Sequence, residues 1–263
     1  MAFYAKALDV GYEYVNHHQL LTINIIKQIQ QVLEGNDAGF RKTPGTVLKN
    51  QTTGEVVYTP PTPELIDKYM SELESFANEP QTIDPLICMA LIHHQFESIH
   101  PFYDGNGRTG RIINILYLVK EGLLDSPVLY LSRYINHNKD EYYLRLQAVR
   151  DNQDWQGWVV FILKGIAQVA QHTKNTIEEI GKLLQNIKIQ IRDNHKFYSQ
   201  DLINNLFHYP YTKVAFVSRD LDVSRATATR YLDALAKDGL LEKRRMGRES
   251  YYVNHQLVEL LNF

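Results

Sequence analysis

A mainly α-helical fold is predicted by two features of the sequence, with one local exception. Apolar residues recur three and four apart over 20–33, 65–76, 86–99 and 112–124, the period of a helix that buries one face. From Ile166 the same spacing continues through Ala170, Thr173, Ile177, Ile180, Leu184, Ile187 and Ile191, which makes one stripe along a single long helix. The exception is GTVLKNQTTGEVVYTPP at 45–61, where two β-prone runs flank a Thr-Gly turn and a Pro-Pro pair ends the second. It reads as a hairpin inserted in a helical domain.

Composition narrows the class. With 263 residues, 44% of them hydrophobic, the chain is long enough for one large or two modest cores. A net charge of -2 argues against a basic coat for nucleic acid over the whole surface. No apolar run is long enough to span a bilayer and no secretory leader opens the sequence, so a soluble, unexported, cytoplasmic chain is expected. The single cysteine, Cys88, sits in LICMALI; it has no partner for an internal disulfide and reads as a small buried hydrophobe of a reducing compartment.

Taken in order, MAFYAKALDVGYEY is amphipathic from the first residues, and the periodic segments that follow build a helical core interrupted by the hairpin. NHNKDEYYLRLQAV continues that core as a helix carrying Tyr142 and Tyr143. The stripe from Ile166 either packs on the core or pairs with a second copy; Ala170 and Thr173 weaken a free-standing coiled coil and favour packing within the chain. After Asn194 the texture changes. VSRDLDVS reads as a short helix and tight turn, Ser224 caps a second helix to Lys237, and Gly239 stops it. Two strand-like runs follow, LLEKRR and ESYYVN, joined by Met246, Gly247 and Arg248. This order resembles a winged helix-turn-helix. The expected domains are a catalytic core at 1–165, a linker helix at 166–194 and a winged helix at 195–263.

The chemistry concentrates in IHPFYDGNGRTGR at 99–111. Flanked by helices, DGNGRTGR is a loop entering a helix N-terminus, with Thr109 near its first turn. Closely spaced glycines let backbone N–H groups converge, and a helix start adds partial positive charge, so the loop suits an anion. Arg108 and Arg111, three apart, reach one side of that site. Asp104 is placed to hold a magnesium ion against phosphate oxygens, and His100 to take a proton from an attacking hydroxyl. An EF-hand is excluded because Thr109 and Ile115 occupy the positions of its glycine and its bidentate glutamate. A P-loop is excluded because no Gly-Lys-Ser/Thr follows and the preceding segment is helical.

HPFYDGNGRTGR also resembles the signature of Fic (Fic/Doc) family proteins, His-Pro-Phe-x-Asp/Glu-Gly-Asn-Gly-Arg-x-x-Arg, at every fixed position. YTPPTPELIDKYMSELESFAN, LIHHQFESI and LYLVKEGLL are similar to the family's segments around that signature, so the resemblance covers roughly 1–165; the tail resembles the C-terminal winged helix of one bacterial branch. It implies a Fic-type helical bundle with the hairpin as flap, and a protein adenylyltransferase that moves AMP from ATP to a Ser, Thr or Tyr hydroxyl. It further implies His100 as base and Asp104 on magnesium. Gly105, Asn106 and Gly107 would lie around the α-phosphate, Arg108 on the β-phosphate and Arg111 toward the γ-phosphate or its neighbours, with Thr109 and Gly110 also in the nucleotide-binding set. Glu55, Val56, Val57 and Tyr58 would be the flap strand that docks the target by strand addition. Tyr142 and Tyr143 lie near where the family binds adenosine, with core packing as the alternative.

One departure stands out. Many family members carry an inhibitory helix, Ser/Thr-x-x-x-Glu-Gly/Asn, whose glutamate pairs with the second arginine of the signature. Here Glu34-Gly35 is preceded by Gln30, and Glu121-Gly122 by Tyr117, where Ser or Thr is expected. The sequence therefore predicts a chain competent as it stands, with Arg111 free for phosphate and any inhibition supplied from outside it. Between 195 and 263 there are ten basic and eight acidic residues. Arg225, Arg230, Lys243, Arg244, Arg245 and Arg248 are the available DNA contacts, but the acids among them favour a protein-interaction or homodimer role. The alternatives are transfer of UMP, phosphate or phosphocholine, reverse deAMPylation, or a DNA-binding regulator that only senses nucleotide.

Overall fold

The computed structural model describes residues 2–49, 53–247 and 249–261. Its contacts divide the chain into two compact units, Met1–Ala170 and Gln171–Phe263.

The first unit is a helical bundle. Helices α1 (Ala2–His18) and α2 (Ile23–Glu34) pair, and α2 starts where Thr22 accepts the Ile25 N–H and ends at left-handed Gly35. The apolar period of α2 buries Ile25, Ile26, Ile29 and Leu33. Next come β1 (Leu48–Lys49) and β2 (Val56–Tyr58), an antiparallel hairpin in a sheet of their own. α3 (Pro63–Asn78) begins at a proline, and α4 (Pro85–Ile99) is capped by Asp84. α4 and α5 (Asn106–Lys120) pack on each other and are buried around most of their circumference. The 99–111 segment that joins them is therefore fixed from both ends by the centre of the bundle. α6 (Leu131–His137), α7 (Lys139–Asn152) and the start of α8 (Trp155–Asn194) close the core, with Trp158 fully buried and donating its indole N–H to Ala90 O at 2.8 Å.

In the second unit the last turns of α8 pack with α9 (Gln200–His208), β3 (Tyr211–Lys213), α10 (Val214–Asp220), α11 (Arg225–Lys237), β4 (Glu242–Met246), β5 (Glu249–Val253) and α12 (His255–Leu261). The sheet order is β3-β5-β4, antiparallel throughout, and Ser224 accepts the Thr227 N–H at the start of α11. Two helices, α10 and α11, are thus followed by the paired strands β4 and β5.

α8 corrects one expectation. It begins at Trp155, and its apolar stripe is not buried along its length: Ile166 and Val169 pack in one core, Leu183, Ile187 and Ile191 in the other, while Ala170 and Ile177 are exposed. Regular spacing reports a helix face, but two separate cores bury two separate stretches of it.

Candidate active site

His100 ends α4 in the left-handed region, φ 48° and ψ 59°, where a side chain other than glycine's is disfavoured. Its N–H donates to Phe96 O at 3.0 Å. Burial pushes its imidazole down to about 4, helped by the Arg41 and Arg150 guanidiniums and opposed by the Glu97 carbonyl and the Asp104 carboxylate. The ring is therefore neutral at ordinary pH, as a proton acceptor must be.

The loop then turns through Gly105, φ 80°, into α5. A Cβ there would meet the Glu34 carboxylate, which can swing aside, so it is the left-handed backbone that requires glycine. The Asn106 side chain braces the turn, accepting the Phe102 N–H at 2.9 Å and donating to Phe102 O at 2.8 Å. It is thus committed internally, while the start of α5 leaves the backbone N–H groups of Asn106, Gly107 and Arg108 without partners within the helix. Asp104 is exposed, with Oδ1 accepting the Gly105 N–H at 2.7 Å. Among the described residues no three His, Cys, Asp or Glu side chains form a metal cage. One exposed carboxylate beside an anion cradle fits magnesium, which draws its remaining oxygens from phosphates and water.

Not every expected residue faces the loop's open side. Thr109 is fully buried behind it, and a Cβ on Gly110 would meet Glu97 Oε1 at 2.8 Å and Phe96 Cδ1 at 3.1 Å, so both serve packing. Tyr142 is also buried, its hydroxyl 3.0 Å from His93 Nε2 and its ring against Trp158; the core reading holds for it, while Tyr143 stays exposed. Arg111 is half-buried and acts electrostatically on Glu97, His93 and Tyr142. Burial pushes the Glu97 carboxyl up to about 7 against the pull of Arg111 and Arg150.

The main correction concerns Glu34. Its Oε1 lies 2.6 Å from Arg108 Nη2, and Gln30, one turn earlier on α2, donates from Nε2 to Asp104 O at 3.3 Å. Glu34 therefore engages the signature although no Ser or Thr stands at position 30, while among the described residues no ion pair is formed with Arg111, the arginine expected to be free. The i, i+4 spacing sets both side chains on the helix face that meets the loop. Glu34 takes the first arginine of the segment rather than the second. The residue type at position 30 hid this arrangement, because the motif sets a hydroxyl there and Gln30 supplies an amide donor instead.

On the hairpin, Glu55, Val56 and Val57 are exposed, and β2 pairs with β1 on one side, which leaves its other edge open. Tyr58 is anchored: its hydroxyl donates to Ser98 O at 3.0 Å, and Arg150 stacks 3.5 Å from its ring centre. Sequence reasoning passed over Arg41, Arg150 and Glu97, whose only signal was charge inside or beside apolar segments. In the second unit Lys243 is paired with Asp233 and Arg244 with Glu242, while Arg225, Arg230 and Arg245 are exposed. Arg248 lies outside the described residues. No helix among the described residues is long and apolar enough to cross a membrane.

Comparison with known proteins follows the same division. The Fic/DOC family profile matches residues 14–118, and the profile of the C-terminal domain of SoFic-like protein adenylyltransferases matches 183–257. Among curated relatives, protein adenylyltransferase Fic of Aedes aegypti is 32% identical over 162 residues, covering 59% of this chain and 30% of its own. Protein adenylyltransferase fic-1 of Caenorhabditis briggsae is 28% identical over 152 residues, 56% of this chain and 27% of its own. The chain thus spans under a third of the length of these relatives. The crystal structure of a Fic family protein from Desulfovibrio desulfuricans G20 shares the fold, with a TM-score of 0.56 at 20% identity over 95% of this chain and 74% of that one. By these matches residues 14–118 are similar to the Fic/DOC family and residues 183–257 to the C-terminal domain of SoFic-like protein adenylyltransferases.

Proposed function

We propose that this protein is an adenylyltransferase that moves AMP from ATP to a Ser, Thr or Tyr hydroxyl of a target protein in the cytoplasm. The observation that carries this reading is the placement of His100 at the left-handed end of α4, joined by a loop that the Asn106 side chain braces to the N-terminus of α5. In the step, His100 takes the proton of the target hydroxyl, the oxygen bonds to the α-phosphorus, and the bond to the β-phosphate oxygen breaks to release pyrophosphate. The amides of Asn106, Gly107 and Arg108 neutralise charge that gathers on the α-phosphate. Asp104 would hold a magnesium ion accompanying ATP, and the ion would supply positive charge against the phosphates. Tyr143 is the aromatic offered to adenine, and the open edge of β2 receives the target's backbone by strand addition.

Arg108 reaches the β-phosphate only after leaving Glu34, so the arrangement described here is a restrained one. We assign the second unit to protein contact, a homodimer included, rather than to DNA, because Lys243 and Arg244 of the wing are neutralised by their neighbours.

The test is intact mass after incubation with magnesium and ATP, with UTP and CDP-choline in parallel. A gain of one AMP on the protein or on an added target, lost in His100→Ala by about 100-fold or more, supports the reading. A gain from UTP or CDP-choline alone assigns a different transferred group.

A further inference from the structure

The segment between α2 and the hairpin contains a buried cation that the reaction scheme above does not use. Arg41 is 2% exposed, and it follows Phe40, which forms an antiparallel bridge to Phe102. Its backbone N–H donates to Pro101 O at 2.9 Å. Its side chain donates from Nε to His100 O at 2.9 Å and from Nη2 to Ile99 O at 3.4 Å and to Pro61 O. The groups that act on it electrostatically are Tyr103 and Tyr58, neither of them a carboxylate.

A buried guanidinium without a counter-ion is costly, and an apolar side chain would fill the same space at lower cost. What compensates it here is a set of carbonyl oxygens, two of them at the negative end of α4. Those oxygens belong to the residues whose geometry matters most. The carbonyl of His100 leaves a left-handed residue that would otherwise relax toward commoner backbone, and Pro61 lies at the foot of the flap.

We propose that Arg41 is a positioning residue that ties the backbone of His100 to the last turn of α4 and to the foot of the flap, holding base and target-docking strand in one register. The inference rests on the reading of His100 as base. Neutrality of the imidazole belongs to the same arrangement. The charged groups around it are Arg41 from this segment, Arg150 from α7 and Asp104 from the loop, so removing Arg41 takes away one of the two cations that disfavour a second proton.

The experiment compares the full chain with Arg41→Met and Arg41→Lys. Arg41→Met removes the charge, whereas Arg41→Lys keeps it but lacks the planar fork that spans several carbonyls. Amide hydrogen exchange is followed at His100 and at the middle of α4, the imidazole of His100 is titrated by NMR, and AMP transfer is measured against ATP concentration. Both variants should speed exchange of the His100 amide by about tenfold or more while mid-α4 amides stay protected, a pattern that general loosening does not give. Arg41→Met alone should move the imidazole titration upward. Transfer in both should lose kcat while the KM for ATP stays within about twofold. Wild-type exchange at His100 in Arg41→Lys, or in Arg41→Met where that variant folds, overturns the proposal. If the wild type transfers no AMP, the adenylyltransferase reading fails on its own, and exchange still decides the role of Arg41.

Discussion

At the scale of single residues the site is governed by which charges are buried and which are paired. Glu34 and Arg108 are 2.6 Å apart, and the arginine cannot serve a phosphate from that position. Replacing the glutamate removes a competitor without touching the loop, so Glu34→Gly is expected to raise AMP transfer by about tenfold, the ratio that about 1.4 kcal/mol of lost competition gives. Initial rates at saturating ATP check it, and an unchanged rate would show that the pair imposes no restraint. His100 makes a second prediction. Its imidazole is depressed to about 4 mainly by burial, so the base form persists well below the range where an exposed histidine protonates. The kcat/KM profile is expected to fall on the acid side near pH 4 and not near 6.5, the ordinary histidine value.

At the scale of elements, α4, the loop and α5 behave as one unit because the two helices touch through residues with no room to move. Gly110 shows this: an added methyl would meet Phe96 Cδ1 and the buried Glu97 carboxylate, and neither retreats without displacing the core. Gly110→Ala is expected to destabilise the first unit by about 1–3 kcal/mol, read as a lower denaturation midpoint with unchanged helix content. Periodicity located α2, α3 and α4 to within a few residues, and the cap Ser224 stands where α11 starts. The start of α5 lies earlier than its apolar run, at Asn106, because the first helical turn is made by the glycine-rich signature itself. α8 exceeds its stripe because Trp158, Phe161, Ile162 and Ile166 continue the same three-and-four spacing backward into the first core, while Gln156, Val160 and Lys164 face solvent.

At the scale of the molecule, the first unit buries an unusual set of titratable groups, and they fix its response to acid. His93, His94 and His100 are held at about 3, 4 and 4 in the folded state against 6.5 when exposed, so the unfolded chain takes up protons first as pH falls below 6.5. Each of these histidines lowers stability through that window. Glu97 acts oppositely: raised to about 7 from 4.5, it keeps its proton in the folded state while the unfolded chain releases it, so stability rises as pH falls from 7 to 4.5. Three groups oppose one, and the urea midpoint of the first unit is expected to drop between pH 7 and pH 4.5, more steeply in Glu97→Gln. A flat midpoint would refute the burial of these histidines as neutral rings. The sequence by itself determined the helical class, the order of helices and strands in the tail and the position of the loop between α4 and α5, because periodicity, caps and glycine spacing are local properties. Only the tertiary structure decided that Glu34 faces Arg108 across 74 residues of chain and that Arg41 reaches His100 across 59. It also decided that Tyr142 belongs to the core. A pattern of apolar positions says which face of an element is buried, but not which residues another element brings against it.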